Sequence, residues 1–364
     1  MSHPAGLEAY GFLPAMRAAL EARGSIDEIP ARVTAVHKER YALVCDRGEC
    51  YGRLKSAVYF NGGTQEFPTT GDFVLIQFNE LGDSIITETL PRRSLFARKN
   101  PTLGEGDQVV AANFDSVFIM QSLNHDLNPK RLERYLALSW QSGAVPVVVL
   151  NKADLVDSYT EQMNEILRVA AGVDVFAVSA MTGYGFDVLG DYLKPGKTIV
   201  LLGSSGVGKS SFVNALAGES IMAVNEIRED DSKGRHTTTH RQLIRMNNGV
   251  MIIDTPGMRE LGMLDASAGL SETFADVEQY FPLCRFSDCS HEREPGCAVQ
   301  AAIASGELPL VRYESYKKLQ RESQYAASQS NYLKLKQQRF TEIAKFSKAL
   351  QKSGGKRGQY GTDE

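Results

Sequence analysis

The chain has 364 residues, 43% hydrophobic and 23% charged, a balance that fits a soluble globular protein of two or three domains. Its longest apolar runs, such as residues 145–150 and 199–202, are too short to cross a bilayer, and no charged start followed by an apolar stretch opens it. A cytoplasmic protein with no membrane partner is expected.

Net charge is −4, but residues 312–357 carry twelve Lys/Arg against three Glu, so a basic tail follows an acidic body. Such a tail either meets a polyanion or is a solvated helix face. The five cysteines, an odd number without a secretion signal, point to reduced thiols or metal ligands rather than a disulfide framework.

Residues 1–30 read as a helix and a linker, with helical spacing between Leu13 and Arg23. Over residues 31–92, short alternating segments at 32–36, 41–45, 71–78 and 84–88 are separated by glycine-rich turns. This predicts a small closed β-barrel of the OB type, which either binds nucleic acid through its open face or only packs. Cys45 and Cys50 fit its interior. Arg92, Arg93, Arg98 and Lys99 read as a basic linker after it.

Residues 93–262 alternate strand and helix. Residues 109–112, 116–120 and 145–150 look like buried strands, and residues 129–142 have helical spacing with Pro129 near the start. The pattern predicts an α/β domain with a parallel sheet covered by helices on both faces. Residues 263–350 predict a metal-binding helical domain, and residues 351–364 a glycine-rich, charged, disordered tail.

The motifs come in an unusual order. Asn151-Lys152-Ala153-Asp154 ends an apolar strand. Asp154 is suited to accept from N1–H and the exocyclic amine of guanine, and adenine would leave its carboxylate unpaired. Asn151 would steady the loop, and the Lys152 stem would cover the ring face. The strand at 175–178 then delivers Ser179 and Ala180, whose backbone N–H groups would reach guanine O6.

Only after this guanine reader comes Gly203-Ser204-Ser205-Gly206-Val207-Gly208-Lys209-Ser210, a G-x-x-x-x-G-K-S phosphate loop between a strand at 198–202 and a helix opening with Ser211. Its N–H groups and the helix N-terminus would cradle phosphates, Lys209 would reach the β- and γ-phosphates, and Ser210 would ligate Mg²⁺. In ordinary small GTPases the phosphate loop comes first. The chain therefore reads as a circularly permuted GTPase.

Asp254-Thr255-Pro256-Gly257 ends a further strand. Asp254 would hold a Mg²⁺-bound water, and the Gly257 N–H would sense the γ-phosphate. Upstream, one threonine of Gly234-Arg235-His236-Thr237-Thr238-Thr239 would complete the Mg²⁺ shell, with Thr238 the choice among neighbours. Met258 stands where Ras-like GTPases place a water-orienting glutamine, and Ser205 where Ras has glycine. Slow intrinsic hydrolysis stimulated by a partner is expected. His236 either acts on the attacking water as the catalytic residue or is a solvated loop histidine. Gly206 occupies the position of the asparagine that holds K⁺ in some GTPases, so no K⁺ ligand is expected.

Cys284, Cys289, His291 and Cys297 form C-x₄-C-x-H-x₅-C. Three thiolates and one imidazole fit one tetrahedral structural Zn²⁺ with no position left for water.

Together these elements resemble the ribosome small subunit-dependent GTPase A (RsgA) family of circularly permuted GTPases. The likeness runs from about Arg32 to the C-terminal helices. It rests on Pro68-Thr-Thr-Gly71-Asp72, the motifs at 151–154, 203–210, 234–239 and 254–257, and the Cys/His cluster ending Glu294-Pro-Gly-Cys297. The resemblance implies an OB barrel, a permuted GTPase core and a C-terminal zinc-binding helical domain. It implies a role in late maturation of the 30S subunit in bacteria, with rRNA (16S) contacts and hydrolysis stimulated by the subunit and coupled to release. It nominates His236 as catalytic and matches all four zinc ligands. The first thirty residues have no counterpart in it. Competing readings are a GTP-binding RNA-interaction module with little turnover and a metabolic phosphotransferase. Nothing in the sequence points to an obligate oligomer.

Overall fold

A computed structural model describes residues 6–23, 28–38, 40–60, 66–98, 108–124, 126–222, 241–254 and 267–325. The N-terminal segment forms a 3-10 turn, Leu7–Tyr10, and helix α1, Pro14–Ala22. It is not a loose extension. Leu7 and Phe12 are buried in a cluster with Val44, Phe73, Leu75 and Leu90, and the Phe12 and Phe73 rings lie 5.3 Å apart.

The barrel follows as β1 (Ile29–Val36), β2 (Tyr41–Cys45), β3 (Gly48–Leu54), a short helix α2 (Ser56–Tyr59), β4 (Phe73–Gln77) and β5 (Ser84–Thr89). The strands run β1-β2-β3-β5-β4, and β4 pairs back onto β1 to close the ring. Alternate side chains fill it: Ala31, Val33, Leu43, Cys45, Val74, Ile76 and Ile86 are all buried together. Cys50 packs at the edge of this cluster, half-buried. Strand β3 escapes sequence reading because two glycines and an outward polar face dilute its alternation.

The stretch after the barrel departs from the expected basic linker. The Arg92 side chain is 5% exposed and forms a two-pronged ion pair with the fully buried Asp72, at 2.9 and 2.8 Å. It also pairs with Glu66 and donates to the Phe67 carbonyl at 2.9 Å. Arg93 lies 3.8 Å from Asp115. Arg98 ends β6 (Leu95–Arg98), and Lys99 is outside the described residues. Strand β6 pairs antiparallel with β7 (Gln108–Ala112) in a separate ribbon, so β7 is buried but does not belong to the main sheet as its apolar run suggests.

The core comprises β8 (Ser116–Ser122), α3 (Pro129–Gln141), β9 (Val145–Asn151), α4 (Thr160–Val169), β10 (Val175–Ala177), β11 (Thr198–Leu202), α5 (Lys209–Ala217), β12 (Gln242–Arg245) and β13 (Met251–Asp254). Its strands are ordered β10-β9-β8-β11-β13-β12, parallel except for β12. Leu132 and Leu136 of α3 and Ile166 of α4 pack on one face, against Val148, Leu150, Val200 and Ile253. Phe212 and Val213 of α5 pack on the other, against Phe118, Met120, Val149 and Ile252.

Barrel and core share one sheet. Ala35 of β1 pairs with Gln242 of β12, and the Thr70 hydroxyl donates to the Arg241 carbonyl at 3.2 Å. Arg32 fastens the seam. Its fully buried guanidinium donates to the carbonyls of Tyr10 (2.5 Å), Gly71 (3.2 Å) and Asn113 (2.8 Å) and lies 4.8 Å over the Phe73 ring. Burial pushes its pKa down to about 9.

The C-terminal unit has α6 (Ser267–Thr273), α7 (Ala275–Glu278), α8 (Ala298–Ser305) and a helix over residues 310–325, α9. Helix α6 presses on α3, where a Cβ at Gly269 would fall 2.0 Å from the Ala137 carbonyl oxygen. The basic tail beyond residue 325 lies outside the described residues. Among the described residues, no helix is long and apolar enough to cross a membrane.

Candidate functional site

The carboxyl ends of the parallel strands β8, β9, β11 and β13 line one edge of the sheet, where open α/β sheets bind ligands. The loop after β11 owes its shape to glycine. Gly203, Gly206 and Gly208 have φ of 152°, 81° and 93°. A Cβ on Gly203 would meet the Met120 carbonyl oxygen at 2.5 Å. Val207 anchors the loop by burying its side chain in the core. The Lys209 ammonium folds back over the loop and donates to the carbonyls of Gly203 (2.8 Å) and Ser204 (2.6 Å). Ser205 is exposed, while Ser210 and Ser211 sit half-buried in the first turn of α5. The N–H groups of that turn lie at the helix end that faces the loop, as at any helix N-terminus.

The loop after β9 is joined to this one by a single side chain. Asn151 is 1% exposed; its Nδ2 donates to the Val207 carbonyl at 2.9 Å and its Oδ1 accepts from the Ala180 N–H at 3.1 Å. Lys152 takes a left-handed conformation, φ 65°, which turns the chain sharply into a 3-10 turn, Ala153–Leu155. Asp154 accepts from the buried Ser179 hydroxyl at 2.5 Å, which in turn accepts from the Thr182 N–H at 3.2 Å. The structure thus brings together Asn151, Asp154, Ser179, Ala180 and the glycine-rich loop, the groups nominated from sequence. Asp254 ends β13, next to β11 and opposite Gln242. His236, Thr238, Gly257 and Met258 lie outside the described residues.

The loop after β8 adds residues that sequence reading missed. Asp126 pairs with the Ser204 hydroxyl through Oδ2 and with Arg131 through Oδ1, at 2.7 Å. The only local signal was Asn128-Pro129, which starts α3: Asn128 caps it by accepting from the Arg131 N–H at 3.0 Å. That cap places the preceding residues at the sheet edge.

A second site lies in the C-terminal unit. The donor atoms of Cys284, Cys289, His291 and Cys297 all lie within 4.8 Å of one another. Four ligands around one zinc at Zn–S distances of about 2.3 Å stand about 3.8 Å apart, so this donor set fits a tetrahedral ion. Cys284 follows a 3-10 turn, Phe281–Leu283, and Cys297 begins α8. His291 is held at φ 60°; its ring stacks on Phe281 at 4.3 Å, and its carbonyl accepts from Gln300 (2.7 Å) and Tyr313 (3.1 Å). Glu294 closes the ligand loop by accepting from Ser290 and from the N–H groups of Glu292 and Arg293, both at 3.0 Å. These bonds, led by the Ser290 hydroxyl, hold its carboxyl down to about 2.

Comparison with known proteins agrees with this geometry. Residues 89–264 match the RsgA GTPase family model. The chain is 46% identical over 333 residues to small ribosomal subunit biogenesis GTPase RsgA 1 of Listeria innocua, spanning 92% of this chain and 94% of that protein. The chain belongs to the RsgA GTPase family. A Methanosarcina acetivorans protein, also named small ribosomal subunit biogenesis GTPase RsgA, is 43% identical over 292 residues, 79% of each chain.

Two solved structures share the RsgA architecture. YjeQ from Thermotoga maritima superposes with a TM-score of 0.61 at 28% identity, covering 81% of this chain and 98% of its own. YloQ, described as a circularly permuted GTPase, superposes with a TM-score of 0.56 at 22% identity, over 82% and 95% of the two chains, a likeness of fold. The permuted motif order of this RsgA chain and its barrel therefore belong to a known arrangement.

Proposed function

We propose that this protein hydrolyses GTP and acts as an assembly factor in biogenesis of the small ribosomal subunit. The observation that carries the reading is Asn151, which joins the 151–154 loop, Ala180 and the glycine-rich loop in one hydrogen-bonded unit. A site for one nucleotide needs its base-reading and phosphate-holding loops beside each other, and Asp154 is the residue suited to select guanine. The relatives named above as small ribosomal subunit biogenesis GTPases support the biological setting.

In this reading Asn151, Lys152, Asp154, Ser179 and Ala180 hold the base. Residues 203–208 and the N-terminus of α5, with Lys209, Ser210 and Ser211, hold the phosphates. Mg²⁺ bound with GTP would neutralise charge on the phosphate oxygens, and Ser210, Thr238 and Asp254 are the hard oxygen donors for it. Gly257 reports the γ-phosphate, and His236 orients the attacking water, the position of Met258 having no group able to do so. Zn²⁺ is structural, held by Cys284, Cys289, His291 and Cys297, and shapes the C-terminal unit. The barrel and the basic residues that follow Arg312 contact 16S rRNA, and the protein works as a cytoplasmic monomer.

Turnover measured with purified 30S and 50S particles side by side tests the proposal. Stimulation by 30S alone, weakened by salt, is expected. Equal rates with and without particles would sink the ribosomal part of it. Met258 favours one alternative, a GTP-binding RNA module with little turnover. Comparing wild type with His236→Ala on 30S decides: identical, near-background rates would favour the module.

A further inference from the structure

We propose that Asp126 is a positioning residue for Lys209, acting through Ser204, and that it sets the preference of the site for a nucleoside triphosphate over a diphosphate. The inference rests on the GTP-binding reading above and concerns a residue outside the nucleotide motifs.

The contacts form one chain. Arg131, in the first turn of α3, donates from Nη2 to Asp126 Oδ1 at 2.7 Å and to the Asp126 carbonyl at 2.8 Å. This fixes both the backbone and the side chain of Asp126. Its other oxygen, Oδ2, binds the Ser204 hydroxyl. The Ser204 carbonyl accepts from Lys209 Nζ at 2.6 Å, alongside the Gly203 carbonyl at 2.8 Å. Lys209 therefore rests on a carbonyl edge whose orientation is set by a carboxylate 78 residues earlier in the chain. Side-chain exposures of 26% for Arg131 and 31% for Asp126 leave the pair partly shielded.

A lysine in a loop of this kind serves the β- and γ-phosphates. Its ammonium is a point charge on a flexible four-carbon stem, so the two carbonyls that hold it must confine it. Within the loop the Ser204 carbonyl meets Lys209 itself, so a restraint on Ser204 from outside the loop bears directly on where the ammonium rests. A carboxylate hydrogen bond to the Ser204 hydroxyl is such a restraint, and bonds involving a charged partner are the strong ones. Loosening it lets Lys209 swing. A ligand with a γ-phosphate then loses more than one without.

The test measures affinities of full-length protein for fluorescent GTP and GDP analogues, with zinc content and thermal midpoint checked for each variant. In Asp126→Ala, GTP affinity is expected to fall on the order of tenfold, the loss of one charge-assisted bond, and GDP affinity about threefold or less. Asp126→Asn keeps one acceptor oxygen for two donors and carries no charge, so it is expected to recover only part of the loss. Ser204→Ala should reproduce Asp126→Ala, and the double variant should be no worse than either single one. Equal losses for GTP and GDP, or additive losses in the double variant, overturn the proposal. Should Asp126→Ala fail to fold, Ser204→Ala carries the test, because it leaves the Asp126–Arg131 pair intact. If wild type itself binds neither nucleotide, it is the GTP reading that fails.

Discussion

Asn151 and Val207 are 56 residues apart, yet the Asn151 side-chain amide donates to the Val207 carbonyl at 2.9 Å. The fit is tight enough that a Cβ on the next residue, Gly208, would come 2.3 Å from Asn151 Nδ2. The loop proposed to read the base and the loop proposed to hold the phosphates are therefore tied directly to each other. Asn151→Ala should loosen both ends at once and weaken GTP and GDP alike, by roughly 10- to 100-fold. Gly208→Ala should be worse, since it adds the clash and forces a φ of 93° on a residue with a side chain. Calorimetric titration of both variants with each nucleotide checks this; a loss confined to GTP would contradict it.

Asp154 makes a different prediction, because its role is selection rather than assembly. Ser179 already satisfies one of its oxygens at 2.5 Å. Each carboxylate oxygen has two lone pairs, so both can still accept from guanine, one from N1–H and one from the exocyclic amine, as proposed. In Asp154→Asn the acceptor pair becomes an acceptor and a donor, which suits the N1–H and the C2 carbonyl of xanthine. GTP affinity should fall by a factor of at least about 100, with XTP gaining, as expected where a site hydrogen-bonds its ligand's polar edge. Competition between GTP, ITP and XTP measures the change. Retained preference for GTP would rule out Asp154 as the guanine-selecting group.

The features legible in the sequence are those whose cause is local. The glycines at 203, 206 and 208 are required by backbone angles in their own loop. The four metal-ligating residues fall within fourteen positions, and alternate residues of β1, β2 and β4 share the barrel interior, although β4 is buried on its other face as well. What escaped reading depends on distant partners. Nothing near Arg92 signals that Asp72 is its partner, so it reads with Arg93, Arg98 and Lys99 as a basic linker. Leu7 and Phe12 looked like an extension because the surface they cover is built from later residues. The Asp126–Ser204 contact spans 78 residues and has no motif at all. Strand β7 was apolar enough for the core sheet, and only pairing with β6 put it elsewhere.

The Cys/His cluster predicts a metal dependence that is structural rather than catalytic. Its ligands come from a 3-10 turn, a loop and the start of α8, and no sheet joins these pieces. Purified protein should carry one zinc per chain by atomic emission. Cys289→Ser should lower zinc occupancy and destabilise the region around α8, with tryptic cleavage appearing between residues 284 and 297. Nucleotide binding should persist, since the hydrogen bonds described for the four ligands stay within the C-terminal unit. Loss of nucleotide binding with the fold intact would contradict a purely structural role.

The last prediction concerns how the C-terminal unit is held. Arg312 of α9 reaches Glu133 of α3 at 2.8 Å, and both side chains are less than 10% exposed. The same guanidinium holds Asp276 at 3.0 Å and the Thr273 carbonyl at 2.7 Å, and lies 4.2 Å over the Phe274 ring. Arg312 thus ties α3, α6 and α7 together. Replacing it by methionine keeps most of the volume but leaves the Glu133 carboxylate buried without its cation, a change that costs about 3–5 kcal/mol in comparable pairs. Adding Glu133→Gln removes the orphaned charge and should restore part of the stability. Urea denaturation of the two single variants and the double variant gives the coupling directly. A double variant less stable than wild type by the sum of the two single losses would show that the pair does not act as a unit. Helix α3 also carries Arg131 in its first turn. Proteolysis of Arg312→Met in the presence of nucleotide should therefore show the C-terminal unit released first, with the glycine-rich loop still protected.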